Sequence, residues 1–253
     1  MRDVNLPHRV LTEVEGDSMT TFVLVHGAWA GSFGFRTVRK LLQAAGHEVF
    51  TPSLTGLGER VHLASPQVTL STHVQDVVNQ VLYEDLNHIV LLGYSYGGSV
   101  ITGCLDHIAE RVSHLVYLDA FVPAPGQSVL DLINQPSPVI ELGMSPFLPP
   151  APRTFDDPDE GVFQNARRVP HPVATFQEPV SLSRPLESFP FSRTYIRATQ
   201  SDPGDIGYRQ FAAAAAHADE SDAWASYEIA TNHMVLSNKP DELVDLLLRL
   251  NQA

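Results

Sequence analysis

His88-Ile89-Val90-Leu91-Leu92-Gly93-Tyr94-Ser95-Tyr96-Gly97-Gly98 is the stretch on which the reading turns. His88–Leu92 is an apolar run of strand length, and it meets Gly93-x-Ser95-x-Gly97 directly. Apolar spacing then predicts a helix from about 96 to 108. A strand that passes into a helix through so tight a turn has no room for side chains beside the apex, which accounts for the glycines at 93 and 97. The serine between them takes a strained backbone conformation and projects its hydroxyl. Gly98 lets the helix approach the neighbouring strand. The N-terminus of that helix faces Ser95, so its free N–H groups favour negative charge developing there.

Outward from this turn, strands and helices alternate. Thr21–Val25 reads as a buried strand ending in His26-Gly27. Phe35, Val38, Leu41, Leu42 and Ala45 repeat at helical spacing, with Gly46 at the position of a C-cap. His47–Thr51 reads as a strand, and Val74, Val77, Val78, Val81 and Leu82 mark a helix with Ser71 or Thr72 as its N-cap. His114–Leu118 is the next strand. Such alternation implies parallel strands joined by right-handed helical crossovers. Between 123 and 190 lie 14 of the 19 prolines, and the periodicity breaks up. This predicts an insertion over the sheet, at about 121–190, with one short helix near 127–134. Alternation resumes with strand Thr194–Ala198, helix 207–217, strand Ser226–Ile229 and a helix from Pro240 to Leu250. The expected organisation is a flexible tail over 1–18 and a single α/β domain over 19–253.

Composition narrows the functions. A net charge of −13 disfavours nucleic acid and anionic membranes as partners, because both are polyanions. No apolar run approaches the roughly 20 residues that span a bilayer. One cysteine, Cys104, excludes an intramolecular disulfide and any multi-cysteine metal site. Residues 1–19 lack the pattern of a secretory signal, so the expected location is the cytoplasm. No metal or other cofactor is expected; a small molecule is the expected partner, with a homodimer as an option.

A serine hydroxyl needs a base to become a nucleophile. Of 11 histidines, His233 stands in the loop Ala230-Thr231-Asn232-His233-Met234, between the last expected strand and the last helix. That loop opens at the same sheet edge as Ser95. The orienting acid should lie between the two in sequence. Asp202, soon after strand Thr194–Ala198, is the first choice; Asp205 is the reserve and Asp119 a third option. An oxyanion requires two N–H donors. Tyr96 offers one through its amide, and Ala28, in the loop after the first strand, the other. His26 reads as a residue that ties this loop together. Trp29, Tyr94 and Phe121 are expected to border the substrate pocket.

His-Gly-Ala-Trp at 26–29, Gly-Tyr-Ser-Tyr-Gly-Gly at 93–98 and Asn-His-Met at 232–234 resemble the α/β-hydrolase superfamily. Within it, the similarity is to small plant-type methylesterases and hydroxynitrile lyases with their bacterial esterase relatives. It runs from about residue 20 to 252. The resemblance implies a mostly parallel sheet flanked by helices with an inserted cap, and a serine esterase with Ser95 as nucleophile, His233 as base and Asp202 as acid. Hydroxynitrile lyases of this group carry a threonine after the first-strand histidine and a lysine after the catalytic one. Here Gly27 and Met234 take those places, which favours ester hydrolysis.

The expected reaction is hydrolysis of a small apolar or aromatic ester or lactone through an acyl-enzyme. A carbamate or amide hydrolase would use the same three residues, and a non-hydrolytic cyclase could share the fold. A nicotinamide oxidoreductase is disfavoured, because the glycines at 27, 31 and 34 do not form Gly-x-Gly-x-x-Gly.

Overall fold

The computed structural model describes residues 19–134 and 145–250. The expected tail, 1–18, lies outside the described residues. Among these residues eight strands run in chain order: β1 Thr21–Val25, β2 Glu48–Phe50, β3 Ile89–Tyr94, β4 Val112–Leu118, β5 Phe147–Leu148, β6 His171–Pro172, β7 Ser192–Ala198 and β8 Ala225–Ile229. Six of them form one sheet in the order β2-β1-β3-β4-β7-β8, parallel throughout. The helices that position the site are α1 Arg36–Ala44, α2 Leu70–Tyr83, α3 Gly97–Ile108, α4 Val129–Ile133, α5 Pro158–Asn165, α6 Ala174–Gln177, α7 Tyr208–Glu220, α8 Val235–Asn238 and α9 Pro240–Leu250.

The twofold alternation of strand side chains divides the core between the two sheet faces. Val23 and Val25 of β1 pack on one face with Leu91 and Tyr117, against α2, α3 and α7. Phe22 and Leu24 point the other way, with Leu92 and Val116, against α1 and α9. Strands covered on both faces must be apolar at every position, which is why β1 and β3 read as continuous hydrophobic runs. The expected cap of α2 moves: Thr69 is the N-cap, and Thr72 instead sits one turn inside and accepts from the Thr69 amide. Ser71 is engaged by Glu178, whose carboxylate accepts from its amide and hydroxyl at 2.6 and 2.7 Å. The carboxylate thereby satisfies orphan donors of the first turn.

From β1 the chain goes to β2 on one side and then back across to β3 on the other. Adjacent parallel strands whose connections leave in opposite directions open a crevice beyond their carboxyl ends, where ligands of open α/β sheets bind. Here that crevice lies beyond Val25 and Gly93, which are paired in register. Among the described residues, the segment between β4 and β7 carries short elements: α4, the two-residue strands β5 and β6, α5, α6 and a single 3-10 turn at Leu186–Ser188.

Candidate active site

Ser95 sits at the apex of the β3–α3 turn with φ +56. A Cβ on Gly97 would lie 2.4 Å from the Val25 carbonyl oxygen, and one on Gly98 would lie 2.2 Å from that of Phe121. Both obstacles are backbone, so no side chain can swing aside to make room. The Ser95 amide donates to the Leu118 carbonyl at 3.2 Å, while its carbonyl accepts from Gly98 and Phe121. The left-handed conformation is therefore held from several directions, and the hydroxyl is left free to face the crevice.

His233 stands in the loop after β8. Its Nε2 lies 3.0 Å from Ser95 Oγ, and its Nδ1 lies 2.6 Å from Asp119 Oδ2. With Nδ1–H donating to the carboxylate, Nε2 is left as the acceptor for the serine hydroxyl. The imidazole stacks on two rings, Tyr94 at 4.9 Å and 27° and Phe211 at 5.3 Å and 12°. The Tyr94 hydroxyl also donates to the His233 carbonyl at 2.6 Å. The two rings hold the plane of the imidazole, and the loop is tied to the end of β3.

The first-choice acid, Asp202, is not the partner of His233. Its Oδ1 accepts from the Gly204 amide at 2.8 Å, a local turn of the kind aspartates often make. Asp205 is committed to an ion pair with Arg153. Asp119, the third option, holds the place instead because of strand order. Leu118 at the end of β4 pairs with Tyr94 at the end of β3, so Asp119 is the next residue along from the serine's own strand. β7 is one strand further out. The Asp119 amide donates to Ile196 at 2.7 Å, its Oδ1 accepts from Ala198, and its φ of +41 turns the carboxylate inward.

The cavity in front of Ser95 is about 40 Å³ and includes Ala28, Trp29, Tyr94, Phe155, His233 and Met234 in its wall. Trp29 and Tyr94 both border this cavity. Phe121, expected at the pocket, is instead buried outside this cavity, where its ring packs on Phe211 at 4.9 Å and so backs the histidine. Its amide is already committed to the Ser95 carbonyl, which turns the side chain into the core. Phe155 is a wall residue of the insertion, carried beside α5. Gly27 brings the β1 turn against the serine, since a Cβ there would stand 2.9 Å from Ser95 Cβ. The amides of Ala28 in that turn and of Tyr96 at the start of α3 have no protein acceptor among the described residues.

Beneath the turn lies a group of buried, neutral histidines. His26 donates from Nδ1 to the Gly27 carbonyl and accepts at Nε2 from the Leu54 amide, 3.0 Å away. It does tie the loop together. His73 donates to the Thr55 carbonyl and accepts from the Tyr96 hydroxyl. His171 accepts from the Trp29 amide and donates to the Thr175 hydroxyl, whose own proton goes to the Pro172 carbonyl. Burial pushes His26 and His73 down to about 4 and His171 well below the usual histidine value. Every ring nitrogen has a partner, so these three position the turn and the walls. Nothing in their single occurrences along the chain signals that grouping.

A family model described as the alpha/beta hydrolase family matches residues 22–246. Over 247 residues the chain is 36% identical to a carbendazim hydrolyzing esterase from a Nocardioides species, covering 92% of this chain and 100% of that one. It is 29% identical to putative methylesterase 13 of Arabidopsis thaliana over 51% of this chain and 30% of the relative. Among solved structures, an extracellular α/β-hydrolase from a Paenibacillus species superposes with TM-score 0.75 at 23% identity, covering 91% and 98% of the two chains. The chain belongs to the alpha/beta hydrolase family and groups with its esterases. No helix among the described residues is long and apolar enough to cross a membrane.

Proposed function

We propose that this protein hydrolyses small apolar or aromatic carboxylic esters through an acyl-enzyme formed on Ser95. The observation that carries the reading is the continuous chain Ser95–His233–Asp119, with contacts of 3.0 and 2.6 Å, opening on a cavity walled by Trp29 and Phe155. In the first half-reaction His233 Nε2 accepts the Ser95 proton as Oγ bonds to the ester carbonyl carbon. The carbonyl oxygen becomes an oxyanion, held by the amides of Ala28 and Tyr96. Asp119 stabilises the imidazolium and keeps its orientation. The carbon–alkoxide bond then breaks, and His233 returns the proton to the departing alcohol. In the second half, His233 takes a proton from water, the hydroxide adds to the acyl carbon, and the acid leaves as Ser95 recovers its proton. The apolar Met234 directly after His233 supplies no charge for a departing cyanide, which places ester hydrolysis ahead of a lyase reaction.

The test is a panel of esters with varied acyl and alcohol parts, with matched carbamates and amides, run on wild type and Ser95→Ala. Wild type is expected to release acid from the esters and to be labelled by a fluorophosphonate. Ser95→Ala is expected to lose at least about a thousandfold in turnover and to escape labelling. Turnover by Ser95→Ala near the wild-type rate would overturn the assignment. Carbamate or amide turnover exceeding that of the esters would move the substrate class while keeping the three residues.

A further inference from the structure

Arg153 and Arg168 both border the cavity that holds Ser95 and His233. They differ in how their charge is met. Arg153 forms its ion pair with Asp205. The Nε atoms of both arginines are buried without a hydrogen-bond partner, but Arg168 also has no carboxylate partner among the described residues. Its guanidinium carbon instead stands 5.7 Å from the centre of the Trp29 ring. The next residue is pinned in place, because the Val169 amide donates to the Trp29 carbonyl at 3.0 Å. Arg168 is thereby held to the same turn that carries Ala28.

A buried guanidinium donor with no acceptor carries a desolvation penalty that a protein seldom bears without use. Burial and the proximity of Arg153 lower Arg168 only to about 10, so it remains a cation at neutral pH. The planar fork of a guanidinium matches a carboxylate in a bidentate arrangement. In a chain of net charge −13, such a cation in the catalytic cavity also selects against the overall field.

We infer that Arg168 forms an anion subsite of the active site, and that the preferred esters carry a free carboxylate at the end remote from the scissile bond. This deepens the ester-hydrolase reading and rests on it: the part of the substrate beside the scissile bond stays apolar or aromatic, and the charge sits only at the far end. Arg168 acts on selectivity, since it binds a group of the substrate that does not react.

The experiment compares kcat/KM within two matched pairs at pH 7.5. Methyl hydrogen glutarate against methyl pentanoate places the charge on the acyl side. 4-Acetoxybenzoate against 4-methylphenyl acetate places it on the alcohol side. Wild type is expected to favour the charged member of at least one pair by tenfold or more. Arg168→Met is expected to lower that ratio at least tenfold, and Arg168→Lys to retain part of it. A role in folding alone would lower both members of a pair together and leave the ratio unchanged. Wild type showing no preference for the acid in either pair overturns the subsite without any variant, as does an unaltered ratio in Arg168→Met. Ser95→Ala separates the two readings: loss of turnover on the neutral esters with no charge preference removes only the subsite, whereas retained turnover removes the hydrolase mechanism beneath it.

Discussion

His233 Nδ1 and Asp119 Oδ2 meet at 2.6 Å across 114 residues of chain, both groups buried. The carboxylate comes from the strand beside the serine's own strand, while the imidazole comes from the loop beyond the edge strand β8. The three groups converge because β3, β4, β7 and β8 are parallel neighbours that end at one edge of the sheet. Two further ties support Asp119, an amide bond to Ile196 and a side-chain bond to Ala198. These join its position to β7 and leave Oδ2 for the histidine.

Asp119→Asn should therefore disable the enzyme without unfolding it. Asparagine accepts the left-handed conformation of this position and keeps the side chain's shape. It removes the charge that favours imidazolium and offers His233 an amide in place of a carboxylate. A fall of about 10⁴-fold in kcat is expected. Asp202→Asn should stay within about threefold of wild type, since Asp202 only caps its own turn. Steady-state kinetics on the two variants decide it; a crippled Asp202→Asn beside an active Asp119→Asn would reverse the assignment.

Phe211 should matter for rate more than for substrate affinity. Its ring lies nearly parallel to that of His233, 5.3 Å away, and it is not part of the cavity wall. Phe211→Leu fills most of the space but removes the flat support. We expect kcat to fall about tenfold with KM changed by less than about threefold, and stability to drop by about 1 kcal/mol. A rise in KM with unchanged kcat would show that the ring contacts substrate instead.

Gly98→Ala should destabilise the protein by about 2 kcal/mol or more, because the new methyl group would press on the Phe121 carbonyl at 2.2 Å. The strain would pass to Ser95, whose carbonyl accepts from the Phe121 amide. Gly34→Ala serves as a control, since no atom lies within 4 Å of its added Cβ. Urea titration should place Gly34→Ala within about 0.5 kcal/mol of wild type. Equal midpoints for the two variants would contradict the steric account of the turn.

Stability should fall as the pH drops from about 6.5 towards 4. His26 and His73 are held neutral down to about 4, and His171 to well below the ordinary histidine value, by burial. In the unfolded chain each takes up a proton near its ordinary value of ~6.5. Between those limits the unfolded state binds more protons than the folded state, so acid favours unfolding. The loss is on the order of a few kcal/mol for His26 and for His73 across that window, His171 adds to it in the same direction, and it is absent above the window. Denaturation curves at pH 7.5, 6 and 5 should show falling midpoints. The ring C–H resonances of these three histidines should stay still in the native protein over the same range. Resonances that titrate near 6.5 would remove the explanation.

The amino-acid sequence by itself determined the alternation of strands and helices, the serine turn and the histidine loop. Those features rest on local rules: strands covered on both faces are apolar throughout, and a tight strand-to-helix turn admits only glycine beside its apex. Even there the helix start moved from Ser71 or Thr72 to Thr69, since several hydroxyl residues in a row offer equivalent local caps. Tertiary structure decided the rest. Asp119, Asp202 and Asp205 all follow strands that end at the same edge, and nothing local separates them. Only the order of strands puts Asp119 beside Ser95, turns Asp202 into its own loop and joins Asp205 to Arg153. Phe121 was drawn behind the histidine, and Arg168 into the cavity wall, for the same reason: which side chains meet depends on how the strands and the inserted segment pack in space, and spacing along the chain does not encode that.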